Sequence, residues 1–131
     1  MEKDFLTTQK IMRLGTISQN GFPHITPVWY IYKDKNFYVG TSTTTKKIKN
    51  LVRNPNASYC IDASEKSPVV GVAGECIAEI IKGTEVKKLG EEIFAKYFTG
   101  EKYKAAIKLL SEDEACILKL VPKTTVTWEY D

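Results

Sequence analysis

Six strand-like runs and four helical ones follow one another irregularly along this 131-residue chain, and the helices are too few for an alternating β-α-β series. The firmest local signal is Asn20-Gly21, a dipeptide that supplies the positive φ angles of a tight hairpin between Leu14–Ser18 and Pro23–Tyr32. A second turn at Lys33-Asp34-Lys35-Asn36 leads into Phe37–Thr41, so the first third reads as an antiparallel meander. Pro23 and Pro27 cannot donate to a ladder, which places the start of the second strand at an edge, bulge or bend. A helix is expected over Asp4–Arg13 with Asp4 as N-cap. Another is expected over Thr44–Asn54, with Ile48, Leu51 and Val52 forming one apolar face. Strand character returns in Ala57–Asp62 and Val69–Ile81, where Gly71 and Gly74 signal strong bending or close approach of another backbone. Helices follow from Gly83-Thr84-Glu85 to near Gly100 and over Lys102–Leu110, and Ala115–Tyr130 is strand-like on both sides of Pro122. The expected fold is mostly β, a six-stranded antiparallel barrel with helices packed outside. Such a barrel is filled by its own side chains, so a ligand belongs at its outer surface or at a subunit boundary.

Composition narrows the function classes. The chain is expected to form one domain over residues 1–131. No apolar run reaches the roughly 18 residues of a membrane span. The start, Met1-Glu2-Lys3-Asp4, has no signal-peptide pattern, so a cytoplasmic protein is expected. Cys60, Cys76 and Cys116 lie far apart within apolar stretches and read as reduced core residues, with no metal site. A formal charge of +3, clustered only at Lys46–Arg53, argues against a dedicated nucleic-acid surface. His24 is the only histidine, which leaves little for catalysis by the chain's own side chains and points to chemistry carried by a bound cofactor.

The stretch Thr41-Ser42-Thr43-Thr44-Thr45-Lys46-Lys47-Ile48-Lys49 sets five hydroxyls before a helix start rich in lysine. The first backbone N–H groups of a helix lack intrahelical partners and its dipole is positive there, an arrangement that attracts phosphate. On a helical wheel Lys46 and Arg53 point away from the apolar face, while Lys47 sits at its margin beside Leu51. A capped surface helix with a solvated basic face is the plain alternative. Glu75 and Glu79 share one strand face and read as a solvated stripe.

The order of motifs resembles a known family. Gly15-Thr16-Ile17, Gly21-Phe22-Pro23-His24-Ile25-Thr26-Pro27-Val28-Trp29-Tyr30, Phe37-Tyr38-Val39-Gly40-Thr41, Lys46-Lys47-Ile48-Lys49-Asn50-Leu51, Asn54-Pro55, Tyr59–Asp62 and Gly71–Gly74 are similar to the pyridoxamine 5'-phosphate oxidase-like split-barrel flavoproteins. The likeness covers about Leu14–Ile81. It implies a split barrel that works as a homodimer, with FMN, or alternatively a deazaflavin coenzyme, held between subunits. By the same likeness Pro27, Val28 and Trp29 meet the flavin ring and Thr41 and Ser42 line the ribityl chain. Lys46 and Lys47, preceded by Thr45, bind the phosphate. Trp128 either covers the cofactor from the partner subunit or packs in the dimer interface. The chain ends Thr127-Trp128-Glu129-Tyr130-Asp131 without the Arg/His substrate motif of pyridoxine phosphate oxidases proper, so vitamin B6 oxidation is not expected. Haem is disfavoured because His24 lies in the second strand. The expected activity is flavin-dependent oxidation or reduction of a small molecule. The alternatives are a flavin carrier or sensor without turnover and, less favoured, a small-barrel nucleic-acid binder.

Overall fold

The computed structural model describes residues 2–131. Its elements are α1 (Glu2–Thr8), β1 (Met12–Ile17), β2 (Pro23–Val28), β3 (Ile31–Lys33), β4 (Asn36–Ser42), α2 (Lys46–Arg53), β5 (Asn56–Ala63), β6 (Val69–Ile81), α3 (Thr84–Tyr97), α4 (Gly100–Ile107), a 3-10 turn (Lys108–Ser111), β7 (Ala115–Pro122) and β8 (Val126–Tyr130). The strands form one antiparallel sheet in the order β2-β1-β5-β6-β7-β4-β3. β7 pairs with the second half of β6 and β8 with its first half.

β2 and β3 stand at opposite ends of that order, yet only Trp29 and Tyr30 separate them. Three peptide steps span at most about 11 Å, so the sheet curls until its two edges meet at this corner. Tyr30 holds the corner shut. Its ring is fully buried, its phenol donates to the Leu6 carbonyl at 2.6 Å and its N–H donates to Tyr97 Oη at 2.9 Å. The Lys96 ammonium lies 3.8 Å from the Tyr30 ring centroid and donates to the Tyr30 carbonyl at 3.0 Å.

Alternation fills the inside of the curl. Met12, Leu14 and Thr16 of β1 face inward with Val39 of β4, Ile61 of β5 and Leu118 and Leu120 of β7. The opposite side of β7 carries Ile117, against which α3 packs Val86, Leu89 and Ile93 in a second apolar cluster. Helices on the outside and a hairpin at Asn20-Gly21 follow the sequence reading, with the Ser18 N–H donating to the Phe22 carbonyl at 2.9 Å, but only Gly21, at φ of 86°, takes a positive angle there, and the pair of positive angles falls in the second turn, at Asp34 and Lys35.

Three expectations are corrected. The first helix spans Glu2–Thr8 rather than Asp4–Arg13, because Thr7 and Thr8 turn their hydroxyls back onto the Asp4 carbonyl and Met12 enters the core as a strand residue. Eight strands form instead of six: the run Pro23–Tyr32 breaks at the corner, and Ala115–Tyr130 breaks at residues 123–125. The first third is not a meander, since the β1–β2 and β3–β4 hairpins lie at opposite edges of the sheet.

Burial of the thiols sets an alkaline limit on stability. It pushes Cys60, Cys76 and Cys116 up from 9.0, Cys76 to about 12. A raised folded value favours the neutral thiol, so this stability is complete below 9 and is lost as pH rises from 9 toward 12. Lys96 acts the opposite way: burial, aided by Lys10, pushes it down to about 8, so its contribution grows between 8 and 10.5. The expected result is that Tm of the wild type falls more steeply between pH 9 and 11 than Tm of Cys76→Ala, read by circular dichroism melts. Parallel profiles overturn this assignment.

Candidate functional site

Among the described residues, β2 pairs only with β1, and β4 beyond Tyr38 pairs only with β7. The edges join at Trp29-Tyr30, and among the described residues nothing pairs residues 23–28 with residues 39–42, which leaves an unpaired slot in the curled sheet. α2 links the two sides: the Thr43–Thr45 turn joins it to β4, and Asn50 Nδ2 donates to Thr16 Oγ1 of β1, the neighbour of β2, at 3.0 Å. Pro27 and Val28 end β2, Trp29 begins the corner, Thr41 and Ser42 end β4, and Thr45, Lys46 and Lys47 stand at the start of α2.

The hydroxyl stretch folds onto itself. Thr45 Oγ1 donates to the Ser42 carbonyl at 2.9 Å, Ser42 Oγ and Thr44 Oγ1 lie 2.8 Å apart, and Thr41 Oγ1 is 3.5 Å from Thr45 Oγ1. Thr45 occupies the N-cap position without capping, and no acidic residue stands in the first turn of α2. The first N–H groups of this helix are therefore left without a side-chain acceptor.

Lys47 is the distinctive group. Lys46 is exposed, but Lys47 is half-buried, and among the described residues no carboxylate pairs with it. Burial pushes its ammonium below the usual lysine value, and the neighbouring Cys116 thiol partly counters that. A cation taken out of water without a counter-charge is unfavourable by itself. Its chemistry calls for an anion.

The inner face of β2 adds two polar atoms. His24 Nδ1 and Thr26 Oγ1 are buried and have no hydrogen-bond partner among the described residues. Buried polar atoms are nearly always paired, so these two fit a ligand that brings its own donors and acceptors. An unpaired ammonium, hydroxyls, free helix N–H groups and two orphaned strand atoms together suit a molecule with an anionic tail and a polar ring edge. His24 is a partly exposed residue of the second strand, and the sequence reading assigned neither it nor Thr26 to the site. Their alternation with buried Val28 was the available signal.

Other expected site residues sit differently. Val28 is buried, and Pro27 is exposed on the outer face of β2. Trp29 stacks on Tyr97 at 4.4 Å between ring centroids and remains 39% exposed. Trp128 lies against Gly71, where an added Cβ would fall 2.1 Å from its ring. Gly71 is ten residues from Ile81 on β6, roughly 30 Å of extended strand, so Trp128 of the same chain is remote from the α2 end.

A curled antiparallel sheet with a slot between its edges and helices outside defines a split-barrel protein. The chain belongs to the pyridoxamine 5'-phosphate oxidase family, whose sequence model matches residues 2–115. It is similar in structure to a conserved hypothetical protein of Mycobacterium tuberculosis, with TM-score 0.85, 25% identity and coverage of 98% of this chain and 82% of that one. It also resembles the haem storage protein HutZ of Vibrio cholerae (TM-score 0.74, 18% identity, coverage 98% and 91%) and an F420 reductase (TM-score 0.72, 14% identity, coverage 95% and 94%). No functionally curated protein matches the chain. Among the described residues no helix is long and apolar enough to cross a membrane, and no group of three or more His, Cys, Asp or Glu residues is placed to hold a metal ion.

Proposed function

We propose that this protein binds FMN as a homodimer and uses it to oxidise or reduce a small molecule. The half-buried, unpaired Lys47 ammonium at the uncapped start of α2 carries this reading. Lys47 receives the phosphate with Thr41, Ser42 and Thr45 beside it, and Lys46 adds long-range attraction from its exposed position. Charge-assisted hydrogen bonds are about twice as strong as neutral ones, so the tail is the main anchor. His24 Nδ1 and Thr26 Oγ1 supply polar contacts along β2, and Val28 and Trp29 close the narrow end of the slot. FMN supplies the hydride or electron transfer when bound; the protein's residues orient it and exclude water. The deazaflavin coenzyme carries a phosphate that the same cradle accommodates, and the likeness to F420 reductase favours it as the alternative ligand.

The dimer forms through the outer face of β1, β2, β5 and β6. Ile17, Pro23, Ile25 and Ile77 line a shallow apolar surface there, flanked by Glu75 and Lys123. A patch carrying both signs of charge is self-complementary across a two-fold axis. Trp128 contributes packing at or near that interface.

The test is the visible spectrum and solution mass of the purified protein, followed by thermal shifts with FMN, deazaflavin coenzyme, haem and single-stranded DNA. A dimer that is yellow, bleaches with dithionite, and gains about 2.7 kcal/mol with FMN at 100 times its Kd is expected. A Soret band with no flavin response sinks this reading in favour of haem. Stabilisation by DNA alone sinks it in favour of nucleic acid.

A further inference from the structure

α2 is turned away from its own apolar face. At about 100° per residue, Ile48, Leu51 and Val52 form one stripe, which the sequence places against the core. The structure buries a different arc: Ile48, Leu51 and Asn50 are buried with Lys47 half-buried among them, while Val52 is 70% exposed. The buried arc is displaced from the apolar stripe by about 60°. Hydrophobic burial alone would rotate the helix to cover Val52 and release Asn50 and Lys47 to solvent.

Asn50 opposes that rotation. It is 2% exposed, and so is its partner Thr16. Its Nδ2 donates to Thr16 Oγ1 at 3.0 Å and its Oδ1 accepts from Arg53 at 3.0 Å. Apolar contacts from Ile48 and Leu51 tolerate turning, whereas a buried hydrogen bond is directional and costly to break. Lys47 stands one turn before Asn50, between it and Leu51 on the wheel.

We infer that Asn50, through Thr16, is a positioning residue that holds α2 rotated off its hydrophobic optimum and thereby turns Lys47 into the slot. The inference rests on the proposed anion role of Lys47 and assigns Val52 as the residue left exposed in consequence.

Thr16→Val keeps the shape of the side chain and removes the acceptor. FMN affinity is expected to fall about tenfold. A Val52→Cys reporter is expected to react with a thiol reagent at least about tenfold more slowly when Thr16→Val is also present, because residue 52 turns inward. Adding Val52→Glu to Thr16→Val is expected to restore affinity to within a few-fold of wild type, since a carboxylate at 52 resists burial and drives the helix back. A merely structural bond gives no such rescue by an exposed charge. Asn50→Leu serves as the second variant should Thr16→Val fail to fold. Unchanged labelling of residue 52, or lost affinity that Val52→Glu does not rescue, overturns the inference. If wild type and Lys47→Ala bind FMN equally, the functional reading fails instead, and labelling still decides whether the helix turns.

Discussion

Lys47→Ala weakens FMN binding by at least tenfold and leaves the unliganded protein as stable as wild type or slightly more so. A charge-assisted bond to a partly buried phosphate contributes about 1.5–3 kcal/mol, and every 1.4 kcal/mol is about a factor of ten in Kd. Stability moves the other way because the unliganded fold carries a half-buried ammonium with no carboxylate beside it. Lys46→Ala, at an exposed position, costs only about two- to fivefold, in keeping with the small worth of solvated charges. Titrations of both variants by flavin fluorescence quenching, at low and high salt, check this. The Lys46 effect fades with salt, and the Lys47 effect largely persists. Equal affinities for wild type and Lys47→Ala refute the assignment.

Gly74→Ala is the most damaging small change expected in the sheet. A Cβ there would stand 2.0 Å from the Thr124 carbonyl oxygen and 2.9 Å from its carbon. Those atoms belong to the tight return in which the Lys123 N–H donates to the Glu75 carbonyl at 2.8 Å and Thr124 Oγ1 accepts from the Glu75 N–H at 3.0 Å. Backbone cannot swing aside, so the link must lift and β8 loses its register on β6. The expected loss is about 3 kcal/mol, the upper end of overpacking costs. The atoms nearest an added Cβ at Gly71 belong to the Trp128 ring, a side chain that can rotate, so Gly71→Ala costs less. Urea midpoints for the two variants give the order, and equal midpoints contradict it.

Local chemistry made parts of this legible. Asn20-Gly21 announced its hairpin, and Gly71 and Gly74 announced close approach because only a missing Cβ admits Trp128 and the Thr124 backbone. The Thr/Lys helix start was visible for the same reason, since every group involved lies within one short segment. Strand order was not visible, because pairing β4 with β7 joins residues 37–42 to residues 115–120. The break at Trp29-Tyr30 depends on Tyr97, Lys96 and Leu6, all distant in sequence. Val52 was expected inside since periodicity reports apolar spacing, and nothing in that spacing discloses that Asn50 finds Thr16.

The arrangement of strands also dictates when the binding crevice comes into being. Its β2 wall pairs with β1 of the amino-terminal hairpin, its β4 wall beyond Tyr38 pairs with β7, and the ladder that joins them away from the Trp29-Tyr30 corner runs through β5 and β6. A growing polypeptide therefore has the cationic helix long before it has a place to aim it. Closing such distant contacts is slow, so capture of the proposed cofactor is expected in the last stage of maturation, after residue 122 has been added.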